Sequence, residues 1–315
     1  MSQQVAPTHS LTAVTPILSS QTQRYLGYLA AATTVLIWSC YFLSLRQGAL
    51  SPLGTFDLTL FRFGVPGLIL LPLFIKRWHT LRRVNPVWLL GMAVGAGLPF
   101  FLLSAVGMRW APVAHGSTLI PGTAPVFVTA MAVLVFAQPL SGWRRFGLVA
   151  VVAGVVCLLW TGLSGASQGL GQGQGLFLVC SFLWAVFTLS VRQSGLSPLE
   201  AASVVTVPST VLLTLYAVAA QPALTLAAVP TGEWVVQLLV QGLAVGLGAG
   251  FLYGFAIRQL GAEITSAIGS LTPVCATVLA WVFLRESIEL STALGLSLVT
   301  LGVICASGLI HPEKK

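Results

Sequence analysis

"SLRQGALSPL" at residues 44–53 returns as "SVRQSGLSPL" at residues 190–199, with seven of ten positions identical. An echo 146 residues away implies that the chain is written from two copies of one unit. The echoes continue down the chain. "GMAVGAG" (91–97) returns as "GLAVGLG" (242–248), "PVFVTAMAVLVF" (125–136) as "PVCATVLAWVFL" (273–284), and "GLVAVVAGVVC" (147–157) as "GLSLVTLGVIC" (295–305). The offset stays between 146 and 151 throughout.

Composition says where such a chain lives. Of its 315 residues 56% are hydrophobic and 7% charged. Soluble domains carry about 25% charged residues and cannot do without them, so this is an integral membrane protein. Its net charge of +8 is not a nucleic-acid footprint, because the basic residues sit between apolar runs rather than in a patch interleaved with aromatics. Cys40, Cys157, Cys180, Cys275 and Cys305 each stand alone in apolar sequence, without a C-x-x-C. No metal, cofactor or nucleic acid is expected.

Ten runs are long and apolar enough to read as membrane-spanning helices: 25–46, 57–75, 86–109, 112–136, 143–163, 175–192, 201–219, 233–257, 263–284 and 288–310. With the N-terminus inside, the inner loops receive eleven basic residues and the outer loops three, Arg46, Arg109 and Arg285. The bias places both termini in the cytoplasm. Residues 1–23 are polar, carry no Lys or Arg, and read as a disordered cytoplasmic tail rather than a signal peptide.

Two copies over ten helices give five helices each, an odd number, so the second copy starts on the opposite side of the membrane. The expected fold is all-α, ten transmembrane helices arranged as two inverted five-helix repeats. The expected division is a first repeat at 24–163, a periplasmic linker at 164–174, a second repeat at 175–310 and a basic cytoplasmic tail at 311–315. Inverted repeats are typical of secondary transporters, with the substrate at the midplane between the halves.

Two stretches carry a family resemblance: "LIWSCYFLSLR…LFRF…RWAPVAHGSTLIPGTAPVFVTAMAVLVFAQPLSGWRRFGLVAVVAGVVCL" and "LWAVFTLSVR…RQLGAEITSAIGSLTPVCATVLAWVFLRESIELSTALGLSLVTLGVIC". Both resemble the repeated domain of the EamA family in the drug/metabolite transporter superfamily. The features are the Trp of the unit's first helix, the Pro-Val of its fourth, the acid that ends the fourth and the glycines of the fifth. The resemblance implies a secondary transporter of the inner membrane that exports small metabolites, such as amino acids or related compounds. It also implies a cavity lined by the first, third and fourth helices of each half, and a fifth helix able to support a homodimer. Drug or toxic-compound efflux on the same fold is the alternative. One departure stands out: the acid ending the fourth helix is Glu286 in the second half but Gln138 in the first.

Arg62, in "LFRFG", is the one basic residue left within a span once the others are assigned to the loops. Such charges usually face a cavity or a partner. It reads as a clamp for a substrate carboxylate or phosphate; the open alternatives are snorkelling to the headgroups or pairing with Asp57. Trp38 and Trp184 are repeat mates inside their helices, as are Tyr41 and Phe187 one turn on. Spacing of three puts each pair on one face, as substrate-binding walls or as core. His115 is a candidate substrate ligand or ion-coupling group, since a free histidine titrates near neutral pH. Glu263 is a second coupling candidate. Pro125 and Pro273 are mates that free a helix carbonyl.

Enzyme readings fail on the residues. "GLSG" at 162–165 mimics an intramembrane serine protease, but the one histidine within a span, His115, precedes it. Asp57 is the only Asp, and there is neither H-E-x-x-H nor a phosphate-binding G-x-x-x-x-G-K-[ST].

Overall fold

The computed structural model describes residues 20–136, 141–163 and 169–307. The expected N-terminal and C-terminal tails, the start of the linker, Gln138 and Ser164 of "GLSG" lie wholly or almost wholly outside these residues. Among the described residues the chain is helical, without strands. The principal helices are α1 (Ser20–Leu50), α2 (Thr55–Lys76), α3 (Pro86–Trp110), α4 (Val113–Phe136), α5 (Gly142–Leu163), α6 (Leu170–Ser194), α7 (Pro198–Ala220), α8 (Thr231–Leu260), α9 (Ala262–Leu284) and α10 (Leu290–Ala306). Eight stretches, in all of these but α4 and α10, are long and apolar enough to cross a membrane. Large apolar side chains such as Leu68, Trp160, Val218 and Leu301 stand exposed on the outside of the bundle, as contact with lipid requires.

The opening phrase shows how sequence sets the local ends. Ser197 and Glu200 form a reciprocal cap: Glu200 N donates to Ser197 Oγ at 3.4 Å and Ser197 N to Glu200 Oε2 at 2.9 Å. With Pro198 at the first helical position, α7 starts within "SPLE". In the first copy the match to Glu200 is Gly54. No cap forms there, and α2 starts at Thr55.

Several helices are not regular. Pro66 has no N–H for the carbonyl of Arg62, and α2 widens into a π turn at Leu60–Gly64. α3 bends at Ala96–Gly97, where a Cβ on Gly97 would lie 2.0 Å from the Ala93 carbonyl oxygen. α8 is π-helical over Leu238–Ala249, and α9 turns at Ser270–Leu271 and ends in a π turn at Ala280–Leu284. The expected linker is shorter than the sequence suggests. α6 begins at Leu170, behind Gly169 at φ +85°, so the glycines at 171, 173 and 175 are helical. Glycine weakens a helix only modestly, and here Gly173 lies against the backbone of Gly107 and Ala111.

The packing pairs repeat across the halves. α1 packs on α8 and α9, α6 on α3 and α4, α2 on α7, and α5 on α10. Adding five to each helix number within a half and subtracting five in the other maps this set onto itself. Two ends of the bundle are distinguished by their contacts. At one end Arg46 meets Glu286, and Thr225 meets Asp57. At the other, Arg77 meets Glu200 at 3.3 Å and Gly27 packs on Leu260.

The glycine pairs of the echoed "GMAVGAG" segment are points of close approach. A Cβ on Gly95 would lie 2.5 Å from the Leu183 carbonyl oxygen, and one on Gly242 would lie 2.8 Å from that of Phe61. These glycines let α3 settle on α6 and α8 on α2. Gly95→Leu therefore lowers the melting temperature of the detergent-purified protein by about 5 °C, the scale of an overpacked core. Gly232→Ala, where a Cβ meets nothing within 4 Å, leaves it unchanged.

Candidate functional site

A cavity of about 710 Å³ lies between the two halves of the chain. Residues from both line it, including Trp38 (α1), Arg62 (α2), Pro121 and Pro125 (α4), Trp184 and Phe187 (α6), Tyr253 (α8) and Pro273 (α9). Most of its wall is apolar. Helix-breaking prolines are placed at the wall, where a freed backbone carbonyl can meet a ligand rather than lipid.

The aromatic wall has two groups. Trp38 stacks obliquely on Tyr253 with centroids 5.0 Å apart. Trp184 lies 5.0 Å from Phe187 and 5.6 Å from Phe100. The repeat mates Trp38 and Trp184 thus come from opposite halves to one cavity. Their companions differ: Phe187 lines it, while Tyr41 is buried behind it at 6% exposure.

Arg62 reaches the cavity from the π turn of α2, with its guanidinium carbon 5.1 Å from the centre of the Phe63 ring. It makes no ion pair among the described residues. The alternative pairing with Asp57 does not form; Thr225 holds one of its carboxylate oxygens, and the other, Oδ1, is buried without a hydrogen-bond partner. Thr225 donates to Asp57 Oδ2 from its backbone N at 2.8 Å and from its hydroxyl at 2.5 Å.

The two coupling candidates lie elsewhere. His115 is buried, with Nδ1 3.0 Å from Gln174 Nε2 and Nε2 3.4 Å from Thr292 Oγ1. It joins α4, α6 and α10 and is not in the cavity wall. Glu263 is exposed in the first turn of α9, also outside the wall.

Three features escaped the sequence. Arg144, in the first turn of α5, lines the cavity and donates to Thr129 Oγ1 at 3.1 Å. In sequence it is one of several loop cations, with nothing to separate it from Arg145. Tyr253 is the second. The third is a cluster at the Arg46 end, beyond the residues that line the cavity. Arg46 Nε donates to Glu286 Oε1 at 2.8 Å, and Val113 N donates to Glu286 Oε2 at 2.9 Å. Arg46 also donates to the Met108 carbonyl. One carboxylate thereby joins the end of α1, the start of α4 and the end of α9, while Arg46 adds the end of α3. Both charged side chains are 14% exposed, a setting in which removal of either partner is costly. The lining of the cavity extends toward the opposite end, to Arg144, Pro198, Ile257 and Ser266, and includes none of the cluster's residues.

Gln174 also donates to the Leu158 carbonyl at 2.7 Å, so it holds His115 in place. Gln174→Leu removes both bonds and costs about 1–3 kcal/mol, visible as a lowered melting temperature, whereas ligand binding in the cavity is unaffected.

The comparisons with known proteins agree with this architecture. The EamA-like transporter family matches residues 25–160 and again 171–308. The "Uncharacterized transporter YoaV" of Bacillus subtilis (strain 168) is 24% identical over 289 residues, covering 87% of this chain and 94% of its own. The "Uncharacterized transporter YyaM" of the same organism is 23% identical, covering 80% and 84%. A solved structure described as "Crystal structure of protein" superposes with a TM-score of 0.59 at 19% identity, over 93% of this chain and 100% of that one. Matched twice along its length, with a cavity between the matched halves, the chain belongs to the EamA-like transporter family.

Proposed function

We propose that the protein is a secondary active transporter that exports small metabolites across the inner membrane by alternating access. Amino acids and related compounds are the class that the family resemblance suggests. In this reading the ten helices span the membrane as two inverted five-helix repeats with both termini in the cytoplasm. The exchange-symmetric packing pairs support the inversion. The charge bias supports the orientation, since Arg24, Lys76, Arg77, Arg82, Arg83, Arg144, Arg145, Arg192 and Arg258 fall at or near the Arg144 end.

The observation that carries the reading is the one-sided cavity. The Arg46–Glu286 cluster ties the helices together at one end, while the lining of the cavity extends to Arg144, Pro198 and Ser266 toward the other, and we read this as a site shut at the Arg46 end and open at the Arg144 end. With the Arg144 end cytoplasmic, this is the state that loads solute from inside. Export then requires the cluster at the outer end to break while α6, α7 and α9 close over the mouth. Rocking of one repeat against the other about a fixed site accomplishes both.

The test is export from cells. Bacteria producing the protein are loaded with amino-acid and dipeptide mixtures, and their media are compared by untargeted mass spectrometry with those of cells producing Gly269→Trp. A Cβ on Gly269 points at Tyr253 (3.8 Å) and Trp38 (3.9 Å), so an indole there fills the cavity without striking backbone. The expected result is a solute enriched outside by the wild type and reduced at least about tenfold in its efflux by the variant at equal membrane abundance. Equal efflux from both would sink the cavity as the route.

A further inference from the structure

We infer that the cavity takes a small amphipathic organic anion: an aryl or similarly apolar body bearing a carboxylate and no compensating ammonium. This rests on the transport reading of the same cavity and, of the amino acids and related compounds named there, keeps only the related carboxylates that lack the ammonium.

The wall holds two cations and no anion. Arg62 and Arg144 both line it, and no Asp or Glu is among the lining residues. Neither arginine makes an ion pair among the described residues. Glu286 is committed to Arg46 and Val113, and Glu200 to Arg77 and Ser197, while Asp57, outside the wall, accepts from Thr225 through Oδ2 alone. An unneutralised guanidinium inside a membrane protein is costly, and an anionic ligand offsets that cost with charge-assisted hydrogen bonds.

The neutral polar groups point the same way. Thr300 lines the cavity at 7% exposure, and its hydroxyl has no partner. Other wall hydroxyls, on Thr188, Thr206, Ser266 and Ser270, donate to carbonyls of their own helices. The unspent donors of the wall are thus the two arginines and Thr300, and an anion is the ligand that satisfies them.

The apolar body is read from the rest of the wall. Trp38, Tyr253, Trp184 and Phe187 offer ring faces and edges at stacking distance from one another. Such rings can also hold a cation. Two uncompensated guanidinium charges in one poorly hydrated cavity oppose that. An α-amino acid is disfavoured for the same reason, because its ammonium finds no carboxylate.

Three compounds on one skeleton separate the cases. They are 3-phenylpropionate (anion), phenylalanine (zwitterion) and 2-phenylethylamine (cation), each radiolabelled. Binding to the purified full chain and flux into phosphatidylcholine proteoliposomes are measured with wild type, Arg62→Gln, Arg62→Lys and Arg144→Gln, each checked for a monodisperse size-exclusion peak. The inference expects 3-phenylpropionate to bind at least about tenfold more tightly than the other two. Arg62→Gln should lose about tenfold or more, and Arg62→Lys, which keeps charge but not the fork, should lose less. Arg144→Gln should weaken binding as well. Equal or tighter binding of phenylalanine or 2-phenylethylamine would overturn the substrate class while leaving transport standing. Binding of none of the three would overturn it too. Tight, Arg62-dependent binding of 3-phenylpropionate without flux would support the site and defeat the transport reading instead. If Arg62→Gln is not monodisperse, Arg144→Gln and the three-compound ranking on wild type decide alone.

Discussion

The Arg46–Glu286 pair is the constraint on which the shape of the cavity depends. A single carboxylate accepts from Arg46 on α1 and from the backbone N–H at the start of α4, at 2.8 and 2.9 Å. It does so from the strap that follows α9, where Arg285 takes a left-handed φ of 57°. In the proposed reading, drawing those elements together shuts one end of the space between the halves. An ion pair at 14% exposure suits a contact that must form and break. Its attraction is strong in a partly dry setting, and water can repay the separated charges once the elements part.

The symmetry of the chain gives that contact its meaning. Arg46 is echoed by Arg192 at the other end, within the phrase repeated as "SLRQ" and "SVRQ". Glu286 is echoed by Gln138. The two copies are thus written from one template, but the second ends its fourth helical run on Glu286 where the first has Gln138 in sequence. In the proposed cycle this difference favours closure at the Arg46 end when the site is empty, and a bound solute must supply the rest of the energy that opens it. A population shift of this kind scales with the ligand's differential affinity for the two states.

Much of the fold was legible, for physical reasons. Lipid demands long apolar helices, and the echoes dictate that two copies pack as one; helix existence followed from both. What sequence could not give were breaks set by tertiary contact. α6 begins at Leu170 because its glycines rest on α3 and α5, not because their propensity favours a helix. The site was legible where a residue broke the rules of its surroundings. Trp38, Trp184 and Arg62 are large or charged groups in the middle of apolar sequence, and all three line the cavity. His115 broke the same rule but is satisfied by Gln174 and Thr292 in the core. Arg144 was hidden because a loop arginine obeys every rule of topology, and only the packed fold brings it to the cavity wall. The closing cluster was hidden because Arg46 and Glu286 are 240 residues apart and each alone reads as a loop charge.

The most direct test of the account is a distance measurement across the closed end. Spin labels are placed at Leu50 and Leu290, both exposed there, in a background whose five cysteines are replaced by alanine. Pulsed dipolar spectroscopy then compares wild type with Glu286→Gln in lipid. The account predicts one short distance population for the wild type and a second, longer one in the variant. A variant distribution identical to that of the wild type would mean that the Arg46–Glu286 pair does not hold this end shut, and the one-sided cavity would need another cause.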